Sequence, residues 1–194
     1  MEGQIVTLEP LAAGHYEGLL EASRPPETWS WWSADMSTPE AFREWFDEAL
    51  RAREAGTRSQ LATLDTATGV PIGSTSFMTL RPEHRGLEIG WTWLTPAAWR
   101  TGANVEAKLL MLRHAFTELG CQRVEFYTHE RNERSRGALA ALPAQFEGIH
   151  RDDRLLFDGS RRSSAVYSIV DREWPEVEAN LAARVAAAVA GASA

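Results

Sequence analysis

Apolar residues recur along the chain at two spacings, and the changes between them mark out the elements. Residues 4–8 read as a short strand and residues 15–22 as a helical segment. The pattern then breaks, because residues 24–37 are rich in Pro, Ser and Trp and fit neither period. Thr38-Pro39-Glu40 restarts a helix with a capping hydroxyl, a proline at the first helical position and an early acid. Phe42, Trp45, Phe46, Ala49 and Leu50 form its apolar stripe. Two strand-like runs, 59–64 and 71–80, are joined by the turn at 65–69. A second turn at 82–86 leads to a third run from Leu87, predicting an antiparallel meander.

The second half alternates helix and strand. Residues 104–119 carry Leu109, Leu112, Phe116 and Leu119 at helical spacing, and residues 123–128 put Val124 and Phe126 on one strand face with Glu125 and Tyr127 on the other. A crossover helix returns the chain in the same direction, so the strands before and after it are expected to be parallel. A helix over 132–141 follows, then strands over 146–157 and 162–170 joined by an Asp158-Gly159-Ser160 turn. After Asp171 a helical tail aligns Val177, Leu181, Val185 and Val189, a stripe suited to the domain itself or to a partner. The expected organisation is one α/β domain over residues 1–171 and a helical extension over 172–194.

Composition narrows the function. A chain of 194 residues, 44% hydrophobic, can bury one substantial core. No apolar run approaches the roughly twenty residues that span a bilayer, and the N-terminus lacks a basic start followed by an apolar stretch, so a soluble, cytoplasmic protein is expected without a membrane partner. Cys121, the only cysteine, allows no internal disulfide and no cysteine-based zinc site, and suits a small buried position. The five histidines lack metal-ligand spacing, so no metal is expected. A formal charge of −7 argues against a nucleic-acid partner and suits an amine substrate. Arg123, Arg131, Arg134 and Arg136 nevertheless gather in one stretch, either as a basic rim for an anionic cofactor or as a solvated face.

The candidate chemistry lies between residues 88 and 135. A strand at 88–94, a loop at 95–103 and a helix from Asn104 bring unpaired backbone amides and partial positive charge together, the arrangement that holds a phosphate group. Arg100 adds charge, and Gly102 allows close approach to the backbone. Asn132-Glu133-Arg134-Ser135 is placed to open a second helix nearby. A plain nucleotide-binding module is a weaker alternative, since the phosphate-loop and dinucleotide glycine patterns are absent.

This order, with Leu94-x-Pro96-x-x-Trp99-x-x-Gly102-x-Asn104 and Asn132-x-x-Ser135, resembles the GNAT superfamily of acyl-CoA N-acyltransferases, and most nearly the RimJ/RimL-like branch. The resemblance spans roughly residues 4–170. It implies a mixed, mostly antiparallel sheet that splays at a central parallel strand pair, flanked by helices, with acetyl-CoA in the gap as cosubstrate. Arg100, Thr101, Gly102, Ala103, Asn104 and Val105 would cradle its pyrophosphate, while backbone groups near Trp93 and Leu94, together with Asn132, would line the pantetheine arm. The family pattern usually has Gln or Arg where Trp99 stands and Gly or Ala where Asn104 stands. At Leu142-Pro143-Ala144 it usually has glycine in the middle, and proline there predicts a local rearrangement.

The implied activity is transfer of an acetyl group, by direct attack, to an amine-bearing small molecule or a peptide or protein N-terminus. Glu88 is the candidate base, or else a solvated or salt-bridged strand residue. Many relatives carry a tyrosine acid where this chain has Leu139, which leaves Ser135 as the candidate acid, in competition with a helix-capping role. His129, ending the strand before Asn132, is expected at the surface, with approach to the reacting centre as the alternative. Trp29, Trp31 and Trp32 would form an acceptor wall or pack beneath a loop. An α-amine with a pKa near 8 needs only about 1 kcal/mol to become neutral at pH 7, against about 4.6 kcal/mol for a lysine side chain, so weakly basic amines ask less of such a site. A catalytically inactive CoA-binding or regulatory module on the same fold is the alternative. A homodimer is compatible with the branch and with the tail stripe.

Overall fold

The computed structural model describes residues 1–32, 35–156 and 159–192. Among these residues the strands are β1 (Val6–Pro10), β2 (Ser59–Asp65), β3 (Pro71–Arg81), β4 (Gly86–Leu94), β5 (Arg123–His129), β6 (Gln145–Leu155) and β7 (Arg161–Val170). The α-helices are α1 (Tyr16–Ser23), α2 (Pro39–Glu54), α3 (Ala103–Arg113), α4 (Glu133–Ala140) and α5 (Trp174–Ala192). All seven strands join one sheet in the order β1-β2-β3-β4-β5-β7-β6, antiparallel throughout except for β4 and β5. Phe157 and Asp158, which the expected final hairpin includes, lie outside the described residues.

The helix starts follow their capping chemistry. Thr38 Oγ1 accepts from the Ala41 amide at 3.3 Å with Pro39 just inside α2, and Asn132 Oδ1 accepts from the Ser135 amide at 3.0 Å to open α4. The span between α1 and α2 contains a short 3-10 turn over Pro26–Trp29. The helix expected to reach residue 119 remains α-helical to Arg113 and then widens into a π turn over His114–Glu118.

Two apolar clusters sandwich the sheet. One joins α3 and α5 to β1, β4, β5 and β7 through Met111, Leu112, Val177, Leu181, Leu87, Ile89, Phe126 and Ile169, with Cys121 buried among them. The other packs α1 and α2 through Leu19, Phe42, Trp45 and Phe46 against Ala62, Leu64 and Trp93. The tail stripe thus packs on this chain, with Val177, Leu181 and Val185 buried and Arg113 Nε donating to Glu178 at 2.8 Å. Glu106 in α3, 2% exposed, accepts from the amides of Gln4, Ile5 and Val6 at 2.8, 2.6 and 2.7 Å, pinning the start of β1.

The opening in the sheet has a local cause. β4 and β5 pair only at Gly86↔Arg123, Leu87↔Val124 and Glu88↔Glu125. Beyond them, Ser76 faces Gly90 but Ser74 faces Trp93, so three steps along β4 oppose two along β3. Trp91, at φ 48°, sits in this bulge in a conformation that non-glycine residues seldom adopt. The extra residue redirects the end of β4, and the strands separate.

The rearrangement predicted at Pro143 takes an unexpected form. The Ala144 amide donates to the Leu139 carbonyl at 3.2 Å, closing the end of α4 in the manner that calls for a left-handed residue at position 143. Pro143 takes it with φ 26°, far from the range its ring prefers, and has no N–H for the companion bond. Pro143→Gly is therefore expected to stabilise the fold by about 1 kcal/mol or more, read as a higher denaturation midpoint at unchanged slope. A lower midpoint would show that proline is the better residue at this helix end.

Candidate active site

A single cleft of about 840 Å3 enters the sheet where β4 and β5 diverge, within the size range of small-molecule sites. It is lined at one end by Arg100, Gly102, Asn104, Val105 and Arg134, and along its length by Trp93, Leu94, Asn132 and Ser135. Glu88, Tyr127, His129, Trp31 and Trp32 also line it.

The first end is built by the loop between β4 and α3. Arg100 (φ 65°) and Gly102 (φ 92°) both take left-handed conformations, which bend the chain back into the helix. The first intrahelical bond runs from the Glu106 amide to the Gly102 carbonyl, leaving the amides of Asn104 and Val105 without a protein acceptor among the described residues. The Ala103 amide meets Thr101 Oγ1 at 3.3 Å, and that hydroxyl donates to the Ala98 carbonyl at 2.8 Å. Thr101 and Ala103 thus brace the loop, and neither lines the cleft.

Glycine at 102 is required for a reason other than close approach by a ligand. A Cβ there would lie 2.7 Å from Ala188 Cβ and 2.8 Å from Ile5 Cδ1, so α5 and the N-terminal segment exclude a side chain. Trp99 is fixed within its own loop, since its indole N–H donates to the Leu94 carbonyl at 2.9 Å and the Arg134 guanidinium stacks 3.7 Å over its ring. That bond uses one of the two lone pairs of the Leu94 carbonyl and leaves the other for an extended ligand. Of the four gathered arginines, Arg134 alone lines the cleft. Arg123 pairs with Glu125 and Glu147, and Arg136 bonds the Glu130 carbonyl and Tyr167.

Glu88 is 5% exposed and forms no ion pair within the described residues. Burial raises its pKa above the ordinary carboxylate value, and the hydrogen bond from Thr79 Oγ1 at 2.9 Å partly opposes that rise. Gly90 keeps the space beside it open, because a Cβ there would come within 2.9 Å of Glu88 Oε1. The Asn132 side-chain oxygen is committed to capping α4, while its amide nitrogen has no protein partner among the described residues. Ser135 is half-buried, and its hydroxyl likewise has none. Leu139 is 7% exposed and packs in the core.

The aromatic cluster divides. Trp31 and Trp32 line the cleft, against His129 at 5.3 Å and Trp91 at 5.2 Å between ring centres. Trp29 lies behind them in the core, bonded to the Ser23 carbonyl at 2.7 Å and packed on Trp93. Trp93 is itself 3% exposed. His129, expected at the surface, is 5% exposed. Its Nδ1 accepts from the Arg131 amide at 3.1 Å, and desolvation together with Arg162 and Arg131 lowers its pKa, favouring the neutral ring.

Lys108 was not singled out by motif. It is 5% exposed on α3, with Nζ donating to Thr92 Oγ1 at 2.8 Å and no carboxylate beside it, and burial lowers its pKa to about 7. The sequence held a signal for this burial, since Lys108 shares the face of Met111, Leu112 and Ala115 at helical spacing. Among the described residues no group of three or more His, Cys, Asp or Glu could hold a metal ion, and no helix is long and apolar enough to cross a membrane.

The acetyltransferase (GNAT) domain family model matches residues 6–144. The Bacillus subtilis (strain 168) protein YoaA, named as an uncharacterized N-acetyltransferase, is 31% identical over 122 residues, covering 63% of this chain and 67% of that protein. The crystal structure of a GCN5-related N-acetyltransferase from Brucella melitensis superposes with a TM-score of 0.87 at 31% identity, over 95% of this chain and 84% of that one. At the level of fold alone, the spermidine N-acetyltransferase from Vibrio cholerae, solved with CoA and spermine, superposes with a TM-score of 0.71 at 14% identity, over 89% of this chain and 99% of that one.

Proposed function

Because the chain belongs to the acetyltransferase (GNAT) domain family, we propose that it is an acetyl-CoA-dependent N-acetyltransferase of the RimJ/RimL-like branch, acting on a small amine or a peptide N-terminus. One observation carries the reading: the same cleft has unpaired helix-start amides at one end and, in its wall, a buried carboxylate that forms no ion pair among the described residues. The amides of Asn104 and Val105, with Arg100 and Arg134, suit a pyrophosphate. The free amide nitrogen of Asn132 suits the carbonyls of an extended arm.

Acetyl-CoA supplies a thioester whose carbonyl carbon accepts the amine and whose thiolate leaves. Glu88, ionised and desolvated, takes the proton from the incoming ammonium, directly or through water, so that a neutral nitrogen attacks. Its pKa, raised by burial, lies nearer to that of the amine than an ordinary carboxylate's does. The Ser135 hydroxyl, at the start of α4, donates a hydrogen bond to the departing sulfur. The shielded walls formed by Trp31, Trp32 and Phe126 limit water at the reacting centre. A second reading, a CoA-binding module without turnover, is favoured by Leu139, which places no hydroxyl where many relatives have one.

Two assays test the proposal. Incubation with acetyl-CoA and a panel of primary amines should release free thiol and yield an N-acetylated product by mass spectrometry. Acetyl-CoA binding without transfer to any amine would leave the second reading standing. Asn104→Glu, which places an acid in the first turn of α3 where the helix tolerates it, should weaken acetyl-CoA binding at least about tenfold with the melting temperature unchanged. Unaltered affinity would remove the pyrophosphate from this loop.

A further inference from the structure

The sheet face that carries Glu88 is strongly charged, and its charges can be paired off. Strand register places Glu125, Tyr127 and His129 of β5 on this face beside Glu88, with Ser168, Ser164 and Arg162 continuing it along β7 and Arg154 opposite Arg162 on β6. Glu125 is held by Arg81 and Arg123, and Glu147 by Arg123. Arg154 has Asp153 at 3.6 Å, and Arg161 has Asp152 at 3.2 Å. His129 favours its neutral form. Of the charged strand residues on this sheet face that line the cleft, Glu88 and Arg162 then remain without an ion pair among the described residues, and they are of opposite sign.

Arg162 is the more unusual of the two. It is half-buried, its side chain makes no hydrogen bond or ion pair among the described residues, and its Nε is fully buried without an acceptor. Burial and the neighbouring Arg154 disfavour its charge, and the more distant carboxylates of Asp153 and Glu88 offset them only in part. A guanidinium kept in such a place without an anion in hydrogen-bond contact is costly unless one arrives with the ligand. The cofactor phosphates are accounted for by the loop before α3 and by Arg134, in another part of the cleft.

Building on the acetyltransferase reading, we propose that the acceptor is an amino carboxylate, a small amino acid or short peptide whose amine meets Glu88 and whose carboxylate meets Arg162, with Arg154 beside it. A zwitterionic acceptor fills both vacancies at once. A polyamine would bring a second cation towards Arg162, and the N-terminal residue of a folded protein has its α-carboxyl tied up in a peptide bond. The overall charge of −7, which by itself suits a cationic substrate, is outweighed by the local arrangement.

The test compares α-amino acids and dipeptides with their carboxamides, and with spermidine, as acceptors for acetyl-CoA. At least one carboxylate should exceed its own amide by about tenfold or more in kcat/KM, the expected worth of a charge-assisted bidentate contact. Arg162→Met should bring that ratio close to one, mainly through KM for the carboxylate, while Arg162→Lys should retain part of it. Equal rates for acid and amide, preference for spermidine, or no turnover of any carboxylate overturns the proposal. Calorimetric titration of the same preparations with acetyl-CoA separates the two levels: loss of binding in the wild type would defeat the acetyltransferase reading, whereas binding with the wrong acceptor preference defeats only the acceptor assignment.

Discussion

Glu88→Gln is expected to lower kcat by about a hundredfold to ten-thousandfold while leaving acetyl-CoA affinity intact, the usual range for loss of a general base. The amide keeps the shape of the carboxylate and still accepts from Thr79 Oγ1, so the fold is not disturbed. What is lost is the ability to take the ammonium proton. The wild type should also show an acidic limb in kcat/KM, because the carboxylate is protonated as pH falls through a pKa that burial has raised above its ordinary value of 4.5. The glutamine variant should lack that limb. Steady-state rates across pH, with calorimetry for acetyl-CoA, check both parts. A variant that retains wild-type kcat would reduce Glu88 to a buried strand residue and move the base elsewhere on this face.

Lys108→Met should stabilise the protein, and the gain should depend on pH. The ammonium at position 108 titrates near 7 in the folded state against an ordinary value of 10.5. Below pH 7 both states hold the proton and the native state bears its full cost, on the order of 5 kcal/mol. Between 7 and 10.5 the unfolded chain holds more proton than the native one, so wild-type stability rises with pH; above 10.5 the cost is gone. Methionine fills the same volume without charge and gives up only the bond to Thr92, worth about 1 kcal/mol. Thermal unfolding near pH 6 should therefore show the variant higher by roughly 10 °C, with the gap narrowing by several degrees near pH 9. A gap that does not change with pH would mean that Lys108 remains charged in the folded protein.

The fold was readable where a residue's role is local. Thr38-Pro39, the α2 stripe and the Asn132 cap each follow from chemistry within one turn, and the parallel relation of β4 and β5 follows from the helix between them. The bulge at Trp91 was not readable, because it depends on register against β3, which no window along one strand contains. The same holds for Gly102, whose glycine is dictated by Ala188 on a helix more than eighty positions away. In the site, the loop at 100–105 and the segment 132–135 carry recognisable spacing, and Glu88 could be nominated from its place on the strand. Lys108, His129 and Arg162 could be placed on faces by period, but their lack of neutralising partners is a property of the assembled sheet. Trp99 departs from the family pattern, and the bond from its indole N–H to the Leu94 carbonyl could not be read from the sequence.

The central claim is that the opening between β4 and β5 is an acetyl-CoA site, and titration of the purified protein with acetyl-CoA by calorimetry, with CoA and ATP as controls, tests it most directly. Saturable binding near one equivalent per chain, tighter than ATP and weakened by Asn104→Glu, is the result predicted. Absence of saturable binding, or equal affinity for ATP, would contradict it.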